Sequence, residues 1–357
     1  MTTTNHRLIH DPEGLNTAPW PIRQDDLLTS TDCFFTRSHA PTPAVDPASW
    51  RLEVDGLVER PLRVSLGDLA ALPRREVPAT LVCAGLRRDE FLSLGPLPGE
   101  LAWGPEPIST GRWSGVGLAD LLQRAGVRPE ARFVEFEGLD SVERQGRRFG
   151  FGGSIDLEKA LSPDVLLATE LNGAPLPPAH GFPVRALVPG WIGARSVKWL
   201  GRVSLTAQPS DNYFQSKAYR LQRDTNHRDP RDVSAGVALC EAPLNAVILE
   251  PSRDQVVPVG PVGVRGWAMG SGGRPITHVD VSPNAGCDWV PARIAVPGTA
   301  WTWSLWEVTL ALSRGRHMLT VRAKDSTGAM QPAAVGDTWN VKGYVNNAWH
   351  RVPVQAE

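Results

Sequence analysis

Glycine ends one strand-like run after another in this chain, and that punctuation limits the fold more than any other feature. "WRLEVDG", "EVPATLVCAG", "RFVEFEG", "DVLLATELNG" and "PVRALVPG" are each closed by glycine. With 34 glycines and 32 prolines spread along 357 residues, long helices have little room. The helix signals are accordingly short. Ser65 opens "SLGDLAAL" with Asp68 three residues on, an N-terminal cap. "GLADLLQRAG" sets Leu118, Leu121 and Leu122 at helical spacing, and Gly126 stops it. "DLEKALSP" repeats the pattern on a smaller scale. Up to about residue 231 these signals predict a mixed α+β domain with much irregular backbone.

The texture changes after "QRDTNHRDPRD", residues 222–232, which is polar, charged and aperiodic and reads as a linker or surface crossing. Beyond it come "VILEPS", "VGVRGWAM", "ITHVDVSP", "WVPARIAV", "WSLWEVTL", "HMLTVRAKD" and "TWNVKGYV", with turn signals such as "PNAG", "SRGR" and "DSTG" between most of them. Short β-like runs at that spacing predict an antiparallel β-sandwich of immunoglobulin type. The length of the chain also suits two domains. This last third holds Trp267, Trp289, Trp301, Trp303, Trp306, Trp339 and Trp349, many of which are expected to fill the sandwich core, while an exposed aromatic patch would mark an interface.

A net charge of −1 gives no reason to expect nucleic acid or an anionic membrane as partner, so any anion site must be local. No apolar run is long enough for a membrane span. The start, "MTTTNHRLIHDPEGLN", shows no basic region followed by an apolar core and no twin arginine, so a cytoplasmic location is the expectation. The four cysteines lie far apart, with no C-x-x-C pair for zinc and no C-x-x-C-H for attached haem. Cys33, Cys240 and Cys287 are expected as free thiols acting as small buried hydrophobes.

Cys83 is different. In "LVCAGLRRDEF" it follows an apolar run and precedes Arg87 and Arg88. Two guanidinium groups favour a thiolate, which can serve as nucleophile or metal ligand. No local histidine completes a nucleophile signature, and a plain structural thiol fits the residues equally. A second segment, "HGFPVRALVPGWIGARSVKWLGRV", carries His180, Arg185, Arg195 and Lys198 among glycines and prolines. Such backbone approaches an anion closely and arginine forks onto phosphate, although G-x-x-x-x-G-K-[ST] is absent. Each basic residue alone could be an exposed strand residue; the set is harder to read that way. In "CFFTRSHAP", Arg37 and His39 alternate at period two, Phe34 and Phe35 suit a core, and His39 alone could be a satisfied, partly buried histidine.

"FFTRSHAP", "CAGLRR", "GRWSGVGLADLLQRAG", "HGFPVRALVPGWIGARSVKWLGRVSL" and "VNNAWHRV" together resemble the sulfite oxidase family of molybdenum enzymes, from about residue 11 to 353. The resemblance implies a molybdopterin-binding catalytic domain over 1–231 and an immunoglobulin-like dimerisation domain over 232–357. It implies one molybdopterin whose molybdenum takes Cys83 as its protein ligand. Phe35, Thr36, Arg37, Ser38, His39, Asp140, His180, Arg185, Ser196, Val197 and Lys198 would line that cofactor. Asp140, in "FEGLDSVE", could also be an ordinary turn aspartate. Arg37 and Arg88 match the family's substrate arginines, Trp103 a pocket tryptophan, Tyr219 a tyrosine beside the metal, and Arg351 an arginine from the second domain. Tyr219, next to the polar crossing, could instead be surface packing.

The activity so implied is oxidation of sulfite to sulfate, with an oxygen atom added to sulfur and two electrons taken by the metal. The family's asparagines after "CAG" and before the first histidine are Leu86 and Ser38 here. Neither haem nor flavin is implied, so electrons would pass to oxygen or to a separate acceptor such as a c-type cytochrome. A homodimer is expected. Nitrate or sulfoxide reduction, or a non-catalytic cofactor carrier, are the alternatives.

Overall fold

The structure, a computed structural model, describes residues 7–10, 15–20, 27–222 and 236–357. The expected linker beyond Gln222, the boundary between 231 and 232, and most of the chain start lie outside the described residues.

Two five-stranded sheets frame the first part. One runs, in spatial order, Gly152–Asp156, Phe133–Gly138, Leu200–Thr206, Leu52–Gly56 and Leu62–Val64. Only Leu200–Thr206 and Leu52–Gly56 are parallel within it. The other runs Ala174–Pro175, Leu166–Leu171, Ile108–Gly117 and Arg74–Val82, with Arg185–Leu187 also paired to Leu166–Leu171. The strand-like runs thus become strands, though Arg185–Leu187 is only three residues long. The short helices form where their caps predict. Ser65 Oγ accepts the Asp68 N–H at 3.2 Å and Asp68 accepts the Ser65 N–H at 2.9 Å. Helix Leu118–Ala125 buries Leu118, Leu121 and Leu122 completely, at about 1.5–3 kcal/mol each. It ends at Gly126, φ +73°, a conformation that costs a side-chain-bearing residue energy.

The second part is a sandwich. One sheet orders Asn245–Glu250, Gly260–Met269, Ser304–Leu312 and Arg293–Val296; the other orders Gln255–Val257, His350–Ala356, Gly315–Asp325, Ile276–Ser282 and Val290–Pro291. Its core holds Trp306 among valines and leucines. Trp267 and Trp303 do not join that core. They stack at 6.1 Å and pack against Val82, Leu86 and Ile108 of the first part, forming an apolar seam. Thr80 ties this seam by donating its N–H to the Trp301 carbonyl at 2.8 Å and accepting the Trp303 N–H at 3.0 Å.

"TWNVKGYV" is not a strand. Its backbone is claimed by Asn340, whose side chain accepts the Tyr344 N–H at 2.9 Å and donates to the Tyr344 carbonyl at 2.7 Å. Val345 then donates to the Ala84 carbonyl at 2.7 Å, so the segment crosses onto the first part. All four cysteines are free thiols, but Cys33 and Cys240 are only partly buried and Cys287 is exposed in a turn.

Candidate active site

Strand Arg74–Val82 delivers Cys83 to the wall of a cavity of about 710 Å³, measured out to its mouth. Cys83 is held by its own N–H to the Pro107 carbonyl at 2.9 Å, and its Sγ accepts the Gly85 N–H at 3.4 Å. Gly85 is required for a second reason. A Cβ there would lie 2.7 Å from Arg88 Cζ, so the missing side chain is the space the guanidinium occupies.

The cavity gathers most of the residues singled out in the sequence: Phe35 to His39, Cys83, Asp140, His180, Arg185, Ser196, Lys198 and Tyr219 all line it. Arg185 is buried and donates only to carbonyls, His180 O at 3.0 Å and Ser196 O at 2.8 Å. Lys198 Nζ donates to Ser38 Oγ at 2.6 Å and Ala179 O at 2.9 Å. Burial brings Arg185 down to about 9; burial and the Arg185 charge bring Lys198 down to about 7. Burial, then Arg185 and Lys198, push His180 down to about 3. A buried guanidinium and a partly buried ammonium, each with neutral hydrogen-bond partners among the described residues, constitute a site that favours an anion. Asp140, raised by burial, accepts the Phe151 N–H at 2.9 Å.

Tyr219 Oη lies 2.9 Å from His39 Nε2. Burial pushes Tyr219 up to about 12, and burial plus Arg37 hold His39 well below its usual value. The phenol therefore keeps its proton and the imidazole is neutral, and the histidine tautomer sets which of the two donates. Tyr219 sits at the end of the π-turn Phe214–Ala218, which turns its ring inward. Arg37 donates to Asn16 Oδ1 at 2.8 Å and Ser38 O at 2.6 Å, so its wall is fixed to the strand Asn16–Trp20.

Five of these residues are not brought to the cavity lining, among them Arg195, which is buried outside it. Arg88 lies just behind it, its Cζ 4.9 Å from the Tyr344 ring centre, and Tyr344 stacks on Tyr219 at 5.3 Å. Trp103 is buried in the apolar cluster that includes Cys83, and its Nε1 has no partner among the described residues. Val197 turns its side chain into the core, while its carbonyl accepts the Ala186 N–H at 2.9 Å. Arg351 also stands outside the lining. It lies on strand His350–Ala356 with Cζ 5.8 Å from the Trp349 ring centre, because alternation along that strand turns it away. The second part instead sends Lys342 and Tyr344 toward Arg88: Arg88 Nε donates to the Lys342 carbonyl at 3.1 Å, and Lys342 Nζ pairs with Glu100 at 3.0 Å. Nothing in the sequence pattern marked Lys342, Tyr344 or Glu100, since the first two sit in the run read as a strand.

Among the described residues no group of three or more His, Cys, Asp and Glu side chains converges on a metal position. A metal here would take one protein thiolate, and a ligand-bearing cofactor would supply the rest. The residues fit such a group: a thiol receiving a backbone N–H, a raised carboxyl facing the cavity, and cations with no ion pair among the described residues.

The family models agree with this arrangement. Residues 39–214 match the oxidoreductase molybdopterin binding domain, and residues 237–357 match the Mo-co oxidoreductase dimerisation domain. A sulfite oxidase of Gallus gallus is 42% identical over 93% of this chain and 74% of its own length. A sulfite oxidase of Arabidopsis thaliana is 35% identical over 91% of this chain and 87% of its own. The mitochondrial sulfite oxidase of Homo sapiens is 39% identical over 97% of this chain, which spans 65% of that relative. The sulfane dehydrogenase SoxCD of Paracoccus pantotrophus superposes with a TM-score of 0.81 and 27% identity, covering 96% of this chain and 85% of that one. A cavity built around one cysteine and a set of cations with no ion pair among the described residues, on a chain related at this level across both of its parts, leads to one assignment: the chain belongs to the sulfite oxidase family.

Proposed function

We propose that the protein oxidises sulfite to sulfate at the Cys83 cavity, using a molybdopterin-bound molybdenum. The observation that carries this is the set of anion-poor cations, Arg185 and Lys198, beside the single cysteine. In this reading Cys83 is the metal ligand. Arg185, Lys198, His180 and Ser196 hold the cofactor phosphate, with the Val197 backbone beside them. Asp140 accepts from the pterin, and Phe35 to His39 close the near wall. The bound group supplies a two-electron redox centre able to pass an oxygen atom to sulfur.

The chain's own residues do the rest. Arg37 faces the cavity and Arg88 stands behind Tyr344, and both favour a small oxyanion. With His39 as its Nε2–H tautomer, the imidazole donates to Tyr219 Oη, and the phenol keeps its one proton, held by burial, to donate into the cavity. Trp103 and the seam tryptophans keep the surroundings apolar, which strengthens these interactions by excluding water. Conversion of sulfite to sulfate takes up one water and releases two protons and two electrons. The electrons leave to oxygen or to a separate acceptor, such as a c-type cytochrome. We further assign residues up to about 231 to catalysis and those from 232 on to pairing as a homodimer, in keeping with the dimerisation-domain match.

Steady-state turnover of sulfite with an artificial acceptor, on protein of measured molybdenum content, tests the reading. Nitrate or sulfoxide reduction without sulfite turnover would replace it.

A further inference from the structure

A carboxylate behind the cavity wall stands against the positive character of this site. Glu100 places Oε1 3.0 Å from Lys342 Nζ and Oε2 3.4 Å from Arg88 Nη2. The three side chains are largely buried, at 15% exposure for Glu100, 28% for Lys342 and 4% for Arg88. They join across the domain seam, with Lys342 from the second part and Glu100 and Arg88 from the first. Arg88 is held further by carbonyls: Lys342 at 3.1 Å, Gly343 at 3.2 Å and Leu101 at 2.9 Å. Its guanidinium covers Tyr344, which stacks on Tyr219, which meets His39. Glu100 thus reaches the cavity wall through Arg88, Tyr344 and Tyr219, and its charge acts on both tyrosines.

An oxyanion site made only of cations has a defect. Substrate and product are both oxyanions, so charge that attracts sulfite also retains sulfate. A buried carboxylate beside two of the cations lowers the potential felt by both anions. It also fixes the two cations in one arrangement, since Arg88 already gives its other donors to carbonyls. We propose that Glu100 is a positioning residue that balances charge: it clasps Arg88 and Lys342 across the seam and limits how tightly the site retains a divalent oxyanion. This rests on the sulfite-oxidising reading of the cavity.

The test is calorimetric binding of sulfate to molybdenum-loaded protein, alongside sulfite steady-state kinetics. Glu100→Gln keeps the shape and most hydrogen bonds and removes the charge. It is expected to tighten sulfate by about ten-fold and to lower KM for sulfite, while product release slows kcat. Glu100→Asp, which keeps the charge, should shift sulfate affinity less. Lys342→Met leaves the carboxylate facing Arg88 alone and should weaken sulfate binding by about ten-fold, which decides the matter if the glutamine variant folds poorly. Unchanged or weaker sulfate affinity in loaded Glu100→Gln, unchanged affinity in Lys342→Met, or no sulfate binding in any form would each overturn the proposal. Absence of sulfite turnover in the parent protein would instead remove the functional reading, and the sulfate comparison would still decide the role of Glu100.

Discussion

Arg87 offers the sharpest test of how the two halves are joined. Its side chain is fully buried and forks onto Glu90, with Nε to Oε1 at 2.7 Å and Nη2 to Oε2 at 2.8 Å. Nη1 crosses the seam to Asn245 Oδ1 at 2.7 Å and the Ala348 carbonyl at 2.8 Å. Asn346 returns the contact by donating to the Arg87 carbonyl at 2.9 Å and to Glu90 at 3.0 Å. The backbone is held at φ +57°, which costs a non-glycine residue about 1–2 kcal/mol. Arg87→Ala leaves Glu90 buried without its cation and strands two seam acceptors. Removing one partner of a buried pair costs about 3–5 kcal/mol. The assay is urea denaturation followed by tryptophan fluorescence, because Trp267 and Trp303 report directly on the seam. The double replacement Arg87→Met with Glu90→Leu removes both charges and should recover much of the loss, with the difference measured as a mutant cycle. The pH dependence has a definite sign. Burial raises Glu90, but the charge and hydrogen bonds of Arg87 outweigh it and leave the carboxyl below its usual 4.5. A carboxyl lowered in the folded state adds stability that is present above about pH 4.5 and fades as pH falls through its folded value. A loss under about 1 kcal/mol in Arg87→Ala, or no recovery in the double variant, would refute the view that this pair joins the halves.

Four further outcomes are expected. Cys83→Ser should keep the fold and lose sulfite turnover, together with the thiolate-to-metal absorption of loaded protein; full activity would remove Cys83 as ligand. Arg37→Gln should mainly raise KM for sulfite, read from initial rates, because Arg37 attracts the anion without touching the thiol. Tyr219→Phe deletes the 2.9 Å bond to His39 and should lower kcat about ten- to a hundred-fold with little change in melting temperature. Protein prepared without cofactor should gain stability as pH rises from about 7 toward 10.5. The folded state lowers Lys198 to about 7 and so binds fewer protons than the unfolded chain across that window. Lys198→Met should flatten that slope in denaturation series.

Much of the site was written locally. The arginine and histidine of "FFTRSHAP", the cysteine of "CAGLRR" and the basic residues of "HGFPVRALVPGWIGARSVKW" all meet at one cavity, apart from Arg195, which is buried outside the lining. They do so because each motif lies at a strand end or tight turn, where a few residues decide direction. The capped helices were legible for the same reason: a cap is a bond between neighbours along the chain.

What the sequence could not determine is what crosses between the halves. Composition placed tryptophans in the last third, and only packing decided that Trp267 and Trp303 fill the seam rather than the sandwich. A β-branched run such as "TWNVKGYV" has the propensity for a strand, but the Asn340 side chain and the Ala84 carbonyl compete for its backbone and win. Arg351 shows the same limit in reverse: it stands in a recognisable motif, and strand alternation turns it away from the cavity. Local chemistry along the chain determined which residues could hold an anion. Which of them stand together, and that Lys342, Tyr344 and Glu100 join them, is decided by contacts between residues hundreds of positions apart, where no periodicity or spacing leaves a trace.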